Sequence, residues 1–274
     1  MARTAPAWQR LVHEGWFQNR AEAERWILSG KVRAGDKPVL TAGQPIAHDV
    51  SLHVRGLDQK YVAKGGLKLE SALAAFGLDV KERVCIDAGA STGGFTDCLV
   101  QHGAARVYAV DVGYGQLAGS LRAHPAVVNL EKTNISDSEL LTLDPTPTLG
   151  TVDLSYLSLV KAIPQFSAIL HGQGDLICLV KPLFEIDDAQ ARRTGQINDS
   201  VYEPLLLSLA DAIIMKDYAI CGITHSPVTG NNGTLEFFFH VSLNGNGGLP
   251  NEARKQAAHT ATLAALALPA FHKA

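Results

Sequence analysis

Seven short apolar segments follow one another from Arg83 onward, each separated from the next by a stretch with helical character. They read RVCIDAG, RVYAVDVG, AVVNL, TVDLS, LICLVKP, AICGITHSPV and LEFFFHVSL. Strands that alternate with helices form a mostly parallel sheet with helices on both faces. The fold class predicted for this part of the chain is therefore α/β with a Rossmann-like sheet.

A glycine-rich turn, DAGASTGGFTD, follows the first of these segments and leads into a helix. In an open parallel sheet, ligands bind beyond the carboxyl ends of the strands, and glycine lets backbone amides approach them. The pattern Gly89-x-x-x-Gly93-Gly94 differs from the dinucleotide fingerprint, because Ser91 stands where that fingerprint requires glycine. The Lys-Ser/Thr pair of a phosphate-binding loop is also missing. The turn favours a ligand without phosphate; the alternative is that its glycines only allow close strand–helix packing.

Two acidic residues accompany the turn. Asp87 lies two residues before Gly89, and Asp111 ends the next strand about twenty residues later. An acid at this second position suits the hydroxyl groups of a ribose. The combination fits S-adenosylmethionine, which contains an adenosine and a cationic sulfonium but no phosphate. We expect its methionine part to lie against the turn and its ribose hydroxyls to donate to Asp111.

Four charged residues stand at or near the predicted strand ends. Lys68 precedes the first strand, Asp153 ends the fourth, Lys181 ends the fifth, and Glu236 begins a late strand. A single charge at a strand end is usually solvated or paired at the surface, and that explanation would suffice for any one of them. Neighbouring parallel strands, however, gather Asp153 and Lys181 beside the glycine-rich turn, where the chemistry of such sheets takes place. The four residues therefore predict an active site at this edge.

The N-terminal segment has a different pattern, two short helices followed by strands. PAWQRLVHEGW is helix-like, and a second helix is bounded by Asn19 as N-cap, Glu22 as its reciprocal partner and Gly30 as a stop. KVRAGDKPVL predicts strand, turn and strand, and HDVSLHVRG alternates like a half-buried strand. This order resembles the small RNA-binding module named after ribosomal small-subunit protein four, although APAWQRLV replaces the Arg-Leu-Asp that often opens its first helix. The alternative is a helical cap that packs on the larger domain.

Charge is unevenly distributed along the chain. The net charge is −3, yet residues 1–70 contain 11 Lys and Arg against 7 Asp and Glu, whereas the rest contains 13 against 20. A basic excess at the N-terminus favours RNA binding there, and an ordinary solvated surface is the alternative. The predicted RNA-binding residues surround the second helix: Arg20, Arg25, Lys31 and Arg33.

The apolar runs and the cysteines predict where the protein is located and whether it contains disulfides or a metal site. No apolar run reaches the length of a membrane span, and Arg10, His13 and Glu14 interrupt what would be the apolar core of a signal peptide. We therefore expect a cytoplasmic protein that does not bind membranes. The four cysteines lie far apart without paired spacing, which favours buried free thiols over disulfides or zinc ligands. No metal site is predicted.

Several motifs in order resemble one family. Lys68, Asp153, Lys181 and Glu236 resemble the K-D-K-E tetrad of the FtsJ-like ribose 2'-O-methyltransferases. The segments KGGLKLESAL, DAGASTGGFTDCL, DVGYGQLAGSLR, LEKTN, LVKPLFE and SPVTGNNGTLEF are similar to those of the TlyA family of haemolysin-named ribosomal RNA methyltransferases. This resemblance covers nearly the whole chain. One departure is TGQIND at residues 194–199, where the family commonly has Gly-Val-Val-Arg-Asp, so a basic RNA contact is expected to be missing there.

The resemblance implies a function and a division of the chain. The function is 2'-O-methylation of a ribose in ribosomal RNA, at a cytidine, with S-adenosylmethionine as methyl donor and ribosomal RNA or ribosomal subunits as partners. The implied parts are an RNA-binding domain like that of ribosomal protein four at residues 1–58, a linker at 59–63 and an FtsJ-like methyltransferase domain at 64–274. The implied catalytic residues are Lys68, Asp153, Lys181 and Glu236. The implied cofactor-binding residues are Asp87, Gly89, Ser91, Thr92, Gly93, Gly94, Asp111 and Asn134.

The chemistry of the reaction assigns roles to the tetrad. A ribose hydroxyl is a poor nucleophile, so methyl transfer needs in-line alignment and the removal of one proton. A lysine, whose ordinary pKa is about 10.4, accepts that proton only if burial or a neighbouring cation lowers its pKa. We expect Asp153 to orient the amines of Lys68 and Lys181, and Glu236 to hold Lys68 or the substrate hydroxyl. Which lysine is the base stays open at the level of the sequence.

Two other classes of function compete with this one. A haemolysin-like membrane-active protein is suggested by the older name of the family, but a secretion signal and a membrane-length segment are missing. A non-catalytic RNA-binding factor of ribosome assembly would keep the fold, but its tetrad positions would be expected to have decayed. They are intact in this sequence.

Overall fold

The structure is a computed structural model that describes residues 4–17, 19–57, 60–186, 188–230 and 233–268. Its N-terminal part begins with β1 (Thr4–Pro6), α1 (Ala7–His13) and α2 (Arg20–Leu28), and continues with β2 (Val32–Ala34), β3 (Lys37–Pro38), β4 (Pro45–Ala47) and β5 (Leu52–Val54). Strand β2 pairs antiparallel with both β3 and β5, and β1 pairs antiparallel with β4. The predicted helices and strands are confirmed here, whereas the β1–β4 pair was not predicted.

Helix α2 has the boundaries that its sequence predicts. The side-chain oxygen of Asn19 accepts the backbone N–H of Glu22 at 2.9 Å, which caps the first turn. Two residues after the helix, Gly30 adopts a left-handed φ of 69°, a conformation that glycine reaches without steric cost. The apolar faces of α1 and α2 close over the small sheets around a core of their own, which includes Leu11, Phe17, Ile27, Val32 and Val54.

The larger part of the chain alternates strands and helices. Its first half contains α3 (Gly65–Phe76), β6 (Val84–Ala88), α4 (Gly94–Gln101), β7 (Arg106–Asp111), α5 (Gly119–Arg122), β8 (Val127–Glu131), a 3-10 helix (Ser138–Thr142) and β9 (Leu149–Val152). Its second half contains α6 (Leu159–Ile169), β10 (Asp175–Val180), α7 (Pro182–Glu185), α8 (Ala189–Thr194), α9 (Asp199–Ile214), β11 (Ala219–His225), β12 (Phe237–Ser242) and α10 (Asn251–Leu266). All seven predicted strands are therefore present, and the four cysteines are free.

These seven strands form one sheet in the order β11-β12-β10-β9-β6-β7-β8. Strands β10, β9, β6, β7 and β8 are parallel to one another, and β12 runs antiparallel to them, between β10 and β11. The order reverses at β6, whose neighbours are β7 on one side and β9 on the other. In sheets of this type a ligand binds at such a reversal, beyond the carboxyl ends of the strands.

Helices cover both faces of this sheet, as the sequence predicts. The three phenylalanines that open β12 are all fully buried and alternate between the faces. Phe238 packs with α3 and α4 on one face, whereas Phe237 and Phe239 join the larger core formed with α6, α9 and α10 on the other. The sheet is therefore the middle layer of an α/β/α sandwich, and only its edges are free to form a site.

The N-terminal part docks directly against the larger part. The backbone N–H of Lys64 donates to the carbonyl of Glu14 at 3.1 Å. A side chain at Gly15 would overlap Lys64, so the chain of the N-terminal part approaches this lysine as closely as glycine allows. On a second flank, the carboxylate of Asp49 lies 3.9 Å from the guanidinium of Arg122. Contacts on two flanks fix the position of one part against the other.

A buried carboxylate supports the glycine-rich turn from below. Asp87, at the end of β6, is fully buried and accepts the hydroxyl groups of Thr96 on α4 at 2.7 Å and of Thr151 on β9 at 2.8 Å. Burial raises the pKa of Asp87 to about 6, and the two hydroxyl donors offset part of this shift. The side chain thus connects three elements that meet beneath the turn.

The N-cap of α2 provides a test of the structure of the N-terminal part. Replacing Asn19 by alanine leaves the Glu22 N–H without its acceptor, and we expect α2 to lose roughly 1 kcal/mol of local stability. Hydrogen exchange of the α2 backbone amides measures this loss directly. Asn19→Ser is the matched control, because serine is an equally good N-cap residue. Equal exchange rates in the two variants would contradict the assigned cap.

The buried carboxyl of Asp87 predicts a pH dependence of stability. Its pKa is about 6 in the folded protein and roughly 3.9 in an unfolded chain. Between these values the folded state keeps a proton that the unfolded state has lost. The resulting stabilisation is fully present below about pH 4 and is lost as the pH rises through 6.

Asp87→Asn carries no titrating proton and isolates this effect. The free energy of unfolding of the wild type, relative to that of the variant, should fall by roughly 2 kcal/mol as the pH rises from 4 to 7. Urea unfolding of both proteins across this range measures the difference. A difference that stays constant with pH would show that Asp87 does not hold a proton in the folded state.

Candidate active site

The carboxyl edge of the sheet carries three of the four predicted catalytic residues. Asp153 directly follows β9, and Lys181 directly follows β10. Glu236 directly precedes β12, and because that strand is antiparallel, its first residue, Phe237, pairs with Val180 at the end of β10. The beginning of β12 therefore lies at the same edge as the ends of its parallel neighbours.

The fourth residue, Lys68, lies on α3 and reaches the same edge. Its ammonium group forms an ion pair with the carboxylate of Glu236, and both side chains are 7% exposed. Lys181 forms a second ion pair, with Asp153, and also donates to the hydroxyl of Ser155 at 2.9 Å. The four predicted residues thus come together as two lysine–carboxylate pairs around one cavity of about 320 Å³.

The pairing has an electrostatic reason. A buried charge without a partner costs several kcal/mol, and removing one member of a buried pair is strongly destabilising. Lys68 and Glu236 therefore fix each other's position. The Lys181–Asp153 pair is more exposed, with 17% and 25% of the side chains accessible, so the Lys181 amine is the one that a ligand in the cavity reaches more readily.

Part of the glycine-rich turn forms another wall of this cavity. Gly89, Ser91, Thr92 and Gly94 line it, together with Asp111 at the end of β7. The two carboxylate oxygens of Asp111 accept the backbone N–H groups of Ser91 at 2.8 Å and of Gly113 at 2.7 Å. A carboxylate offers about four acceptor positions, so these contacts orient Asp111 without exhausting it.

Gly93 is not among the described residues that line the cavity. Its φ is 105°, and a side chain there would overlap Leu117 and Leu121 in a small apolar cluster. Gly93 is required for packing beneath the turn. Gly89 is constrained in a comparable way, since a side chain there would overlap the backbone carbonyl of Asp153.

Two other residues predicted to bind the cofactor also lie away from the cavity lining. Asp87 is fully buried beneath the turn, with its oxygens occupied by two threonine hydroxyls. Asn134 stabilises its own loop after β8, where its side-chain oxygen accepts the backbone N–H of Ser136 at 3.1 Å and the hydroxyl of that residue at 2.9 Å. Asp87 therefore supports the turn from below, and Asn134 stabilises the loop after β8.

The cavity also contains residues that the sequence analysis missed. The main ones are His13, Lys64, Val112, Gln116 and Tyr156. Lys64 precedes Lys68 by four residues, a spacing that places both on one face of a helix and could have identified it. Burial and the charge of Lys68 lower the pKa of Lys64. His13 comes from α1 in the N-terminal part, and nothing in its local sequence connects it with the sheet edge.

The four predicted RNA-binding residues are all exposed on the N-terminal part, away from this cavity. The Arg20 guanidinium lies 5.1 Å from the ring centre of Trp8 and pairs with Glu24. The Lys31 ammonium lies 4.6 Å from the ring centre of Trp26. The remaining two, Arg25 on α2 and Arg33 on β2, add exposed positive charge to this part.

Two kinds of feature are missing from the described residues. Among residues 4–17, 19–57, 60–186, 188–230 and 233–268, no helix is both long enough and apolar enough to cross a membrane. Over the same ranges, no group of three or more His, Cys, Asp or Glu side chains is arranged to hold a metal ion. The cavity at the carboxyl edge is lined by lysines, carboxylates and part of the glycine-rich turn.

Comparison with known proteins gives relatives that match along most of the chain. The chain is 38% identical to the "Putative rRNA methyltransferase YqxC" of Bacillus subtilis over 86% of its length and 85% of the relative. It is 35% identical to the "16S/23S rRNA (cytidine-2'-O)-methyltransferase TlyA" of Mycobacterium tuberculosis over 95% of its length and 98% of the relative. Both alignments extend well beyond the motifs that carry the sequence resemblance.

The same fold is found in a solved structure. A "Putative hemolysin" from Streptococcus thermophilus superimposes with a TM-score of 0.78 at 31% identity, covering 96% of this chain and 98% of that one. The sequence pattern of FtsJ-like methyltransferases matches residues 61–243, which include the glycine-rich turn, Asp111 and all four residues of the two lysine–carboxylate pairs. This protein belongs to the FtsJ-like methyltransferase family.

Proposed function

We propose that this protein transfers a methyl group from S-adenosylmethionine to the ribose 2'-hydroxyl of a cytidine in ribosomal RNA. The observation that carries the proposal is the pairing of Lys68 with Glu236 and of Lys181 with Asp153 in one cavity at the carboxyl edge of the sheet. The similarity to a relative named as an rRNA (cytidine-2'-O)-methyltransferase supports the substrate. Because ribosomal RNA is the proposed substrate, we place the reaction in the cytoplasm.

The cavity has the chemistry that S-adenosylmethionine requires. Its volume of about 320 Å³ lies within the usual range of small-molecule sites, roughly 300–1,000 Å³. Asp111 would accept the ribose hydroxyls, the neighbouring Val112 offers exposed apolar surface for the adenine, and the backbone of residues 89–94 would contact the methionine part. When bound, the cofactor supplies an electrophilic methyl group on a positively charged sulfur.

The residues of the chain activate and orient the hydroxyl. Lys181 is the more accessible of the paired lysines, and Asp153 and Ser155 hold its amine in one position. In the neutral form this amine removes the proton of the 2'-hydroxyl; as an ammonium it stabilises the negative charge that develops on the oxygen. Glu236 fixes Lys68 at the cavity, so the ammonium group of this lysine lies close to the position where negative charge develops.

We further propose that residues 1–58 are an RNA-binding domain joined by a linker at 59–63 to a catalytic domain at 64–274. The basic excess of residues 1–70 supports this division. The stacking of Arg20 on Trp8 and of Lys31 on Trp26 also supports it, since cations on aromatic faces form surfaces that suit unpaired bases and phosphates. Ribosomal RNA, alone or in a subunit, is the proposed partner.

Labelled methyl transfer tests the proposed function. The purified protein is incubated with methyl-labelled S-adenosylmethionine and either free ribosomal RNA or isolated ribosomal subunits. We expect label at the 2'-oxygen of a cytidine, located by mapping of ribose-methylated positions. Label on a base, or no label in any ribosomal substrate, would overturn the proposal.

The role of Lys181 can be separated from that of the cofactor site. Lys181→Ala should lower the single-turnover methylation rate by roughly 10²- to 10⁴-fold, the range for a positioned acid–base group. The affinity for S-adenosylmethionine, measured by calorimetry, should change little. Lys181→Arg tells the two forms of the amine apart, because a guanidinium stays charged. If the amine is the base, arginine should fail nearly as badly as alanine; if it stabilises the oxyanion, arginine should restore part of the rate.

A rate within a few-fold of wild type for both variants would assign Lys181 to structure alone. Lys68→Ala is the less informative variant, because it leaves Glu236 as an unpaired buried charge. Retained cofactor binding therefore serves as the check that each variant is folded.

The proposed RNA-binding role of residues 1–58 can be tested separately. Replacing Arg20, Arg25, Lys31 and Arg33 together by glutamine should weaken RNA binding while leaving cofactor affinity unchanged. The slope of log affinity against log salt concentration should fall by roughly 0.7–0.9 for each phosphate contact removed. Affinity and slope equal to those of the wild type would show that these residues do not contact RNA.

A further inference from the structure

Three lysines line the cavity at the carboxyl edge of the sheet: Lys64, Lys68 and Lys181. Lys68 is paired with Glu236, and Lys181 is paired with Asp153. Within the described part of the chain, the Lys64 ammonium has no carboxylate oxygen at ion-pair distance. This cation is therefore available to an anion that does not belong to the protein.

The surroundings of Lys64 favour the binding of such an anion. Burial and the charge of Lys68 lower the pKa of Lys64, so its ammonium form is less stable in the cavity than in water. His13 lines the same cavity, and burial, together with the charge of Lys64, lowers the pKa of this imidazole. His13 is thus neutral at neutral pH and does not compete as a cation. An anion beside Lys64 restores part of the stability that its ammonium form has lost.

Lys64 and Asp111 are associated with different parts of the glycine-rich turn. Asp111 accepts the backbone N–H of Ser91 in the middle of the turn at 2.8 Å. The segment around Lys64 packs instead on the last residue of the turn, since a Cβ atom at Gly94 would lie 3.0 Å from the backbone nitrogen of Gly66. A ligand that lies along the turn between these two places has a carboxylate near one of its ends and an ammonium near the other.

S-adenosylmethionine has groups that match both ends. Its ribose hydroxyls suit Asp111, and its methionine part ends in an ammonium and a carboxylate. Of these two groups, only the carboxylate is attracted by a lysine ammonium. A cofactor that is bound by Asp111 at its ribose and by Lys64 at its carboxylate would extend along the turn, which is the orientation that the proposed function requires.

An RNA phosphate is a second kind of anion to consider. Another cavity, of about 370 Å³, adjoins the first, and the two share Ser155, Lys181 and Glu236 in their linings. Lys64 and Asp111 are not among the described residues that line this second cavity, whereas both line the first. RNA that reaches Lys181 through the second cavity does not pass Lys64. The position of Lys64 therefore favours the cofactor carboxylate over an RNA phosphate.

We propose that Lys64 binds the α-carboxylate of S-adenosylmethionine and thereby holds the methionine part of the cofactor against the glycine-rich turn. This inference rests on the proposed function and adds the residue that recognises the amino-acid end of the methyl donor. The product S-adenosylhomocysteine carries the same carboxylate. Lys64 therefore serves cofactor binding, whereas Lys181 serves the transfer of the methyl group.

Two forms of the cofactor isolate the contribution of the carboxylate. Decarboxylated S-adenosylmethionine keeps the adenosine, the sulfonium and the amino group. By calorimetry on the full chain, the wild type should bind S-adenosylmethionine roughly 10- to 100-fold more tightly than the decarboxylated form, the usual contribution of a hydrogen bond to a charged group. Lys64→Met keeps an apolar side chain of similar length and removes the charge. In this variant most of the preference for the carboxylated ligand should disappear.

Two further variants sharpen the test. Lys64→Arg keeps the positive charge, so it should keep most of the preference for the carboxylated ligand. Lys216→Gln is the matched control for net charge. Lys216 is exposed and follows α9 just before β11 begins, which places it at the amino edge of the sheet, opposite the cavity. This control should leave both affinities unchanged.

The outcomes separate this inference from the proposed function. A wild-type protein that binds neither ligand and methylates no RNA would overturn both. Equal affinity of the wild type for the two ligands, or an unchanged preference in Lys64→Met, would overturn the carboxylate contact alone. An equal loss of both affinities in Lys64→Met would also overturn it, because the role of Lys64 would then be structural. A higher KM for RNA at unchanged cofactor affinity would do the same by assigning Lys64 to the RNA.

Discussion

The buried ion pair between Lys68 and Glu236 is the contact on which the candidate active site depends. The two residues are 168 positions apart in the sequence, one on the helix that precedes the first strand of the main sheet and the other at the start of its last strand. Neither charge is stable in that position alone, because each is almost completely removed from water. The pair therefore ties two distant segments together at the carboxyl edge. Lys181 and Asp153 project into the space that these segments enclose, so the geometry of one ion pair sets the frame for the other.

Sheet topology explains how much of this site the sequence could reveal. Asp153 and Lys181 follow parallel strands, and the rule that such ends converge was enough to place them together. Glu236 precedes its strand, so the same rule would have put it at the opposite edge had β12 been parallel. Only the antiparallel pairing of Val180 with Phe237, which no local pattern encodes, brings it to the others. Lys68 lies on a helix, so the strand-end rule does not position it, and its assignment as a catalytic residue came from the resemblance to the family.

The glycine-rich turn shows what a sequence pattern cannot predict. A run of glycines reveals that side chains are excluded, but not which neighbour excludes them. At Gly89 the neighbour is the carbonyl of Asp153, and at Gly93 it is a pair of leucines beneath the turn. Asp87 is among the cofactor-binding residues that the resemblance to the family implies. In the structure it is enclosed by two threonines, whose hydroxyls make a fully buried carboxyl tolerable and thereby stabilise the turn from below.

The N-terminal part contributes to the cavity at the carboxyl edge as well as to the exposed surface that carries Arg20. His13, the last residue of α1, lines the cavity, while Trp8 near the start of the same helix supports Arg20. Five residues of an α-helix rise roughly 8 Å along its axis, so these two positions are close neighbours. Because the Lys64 N–H donates to Glu14 directly after α1, the helix cannot move away without opening the wall of the cavity. In the proposed function, RNA held at one end of α1 is therefore presented to the catalytic lysines at the other end, and binding and methyl transfer depend on the docking of one short helix.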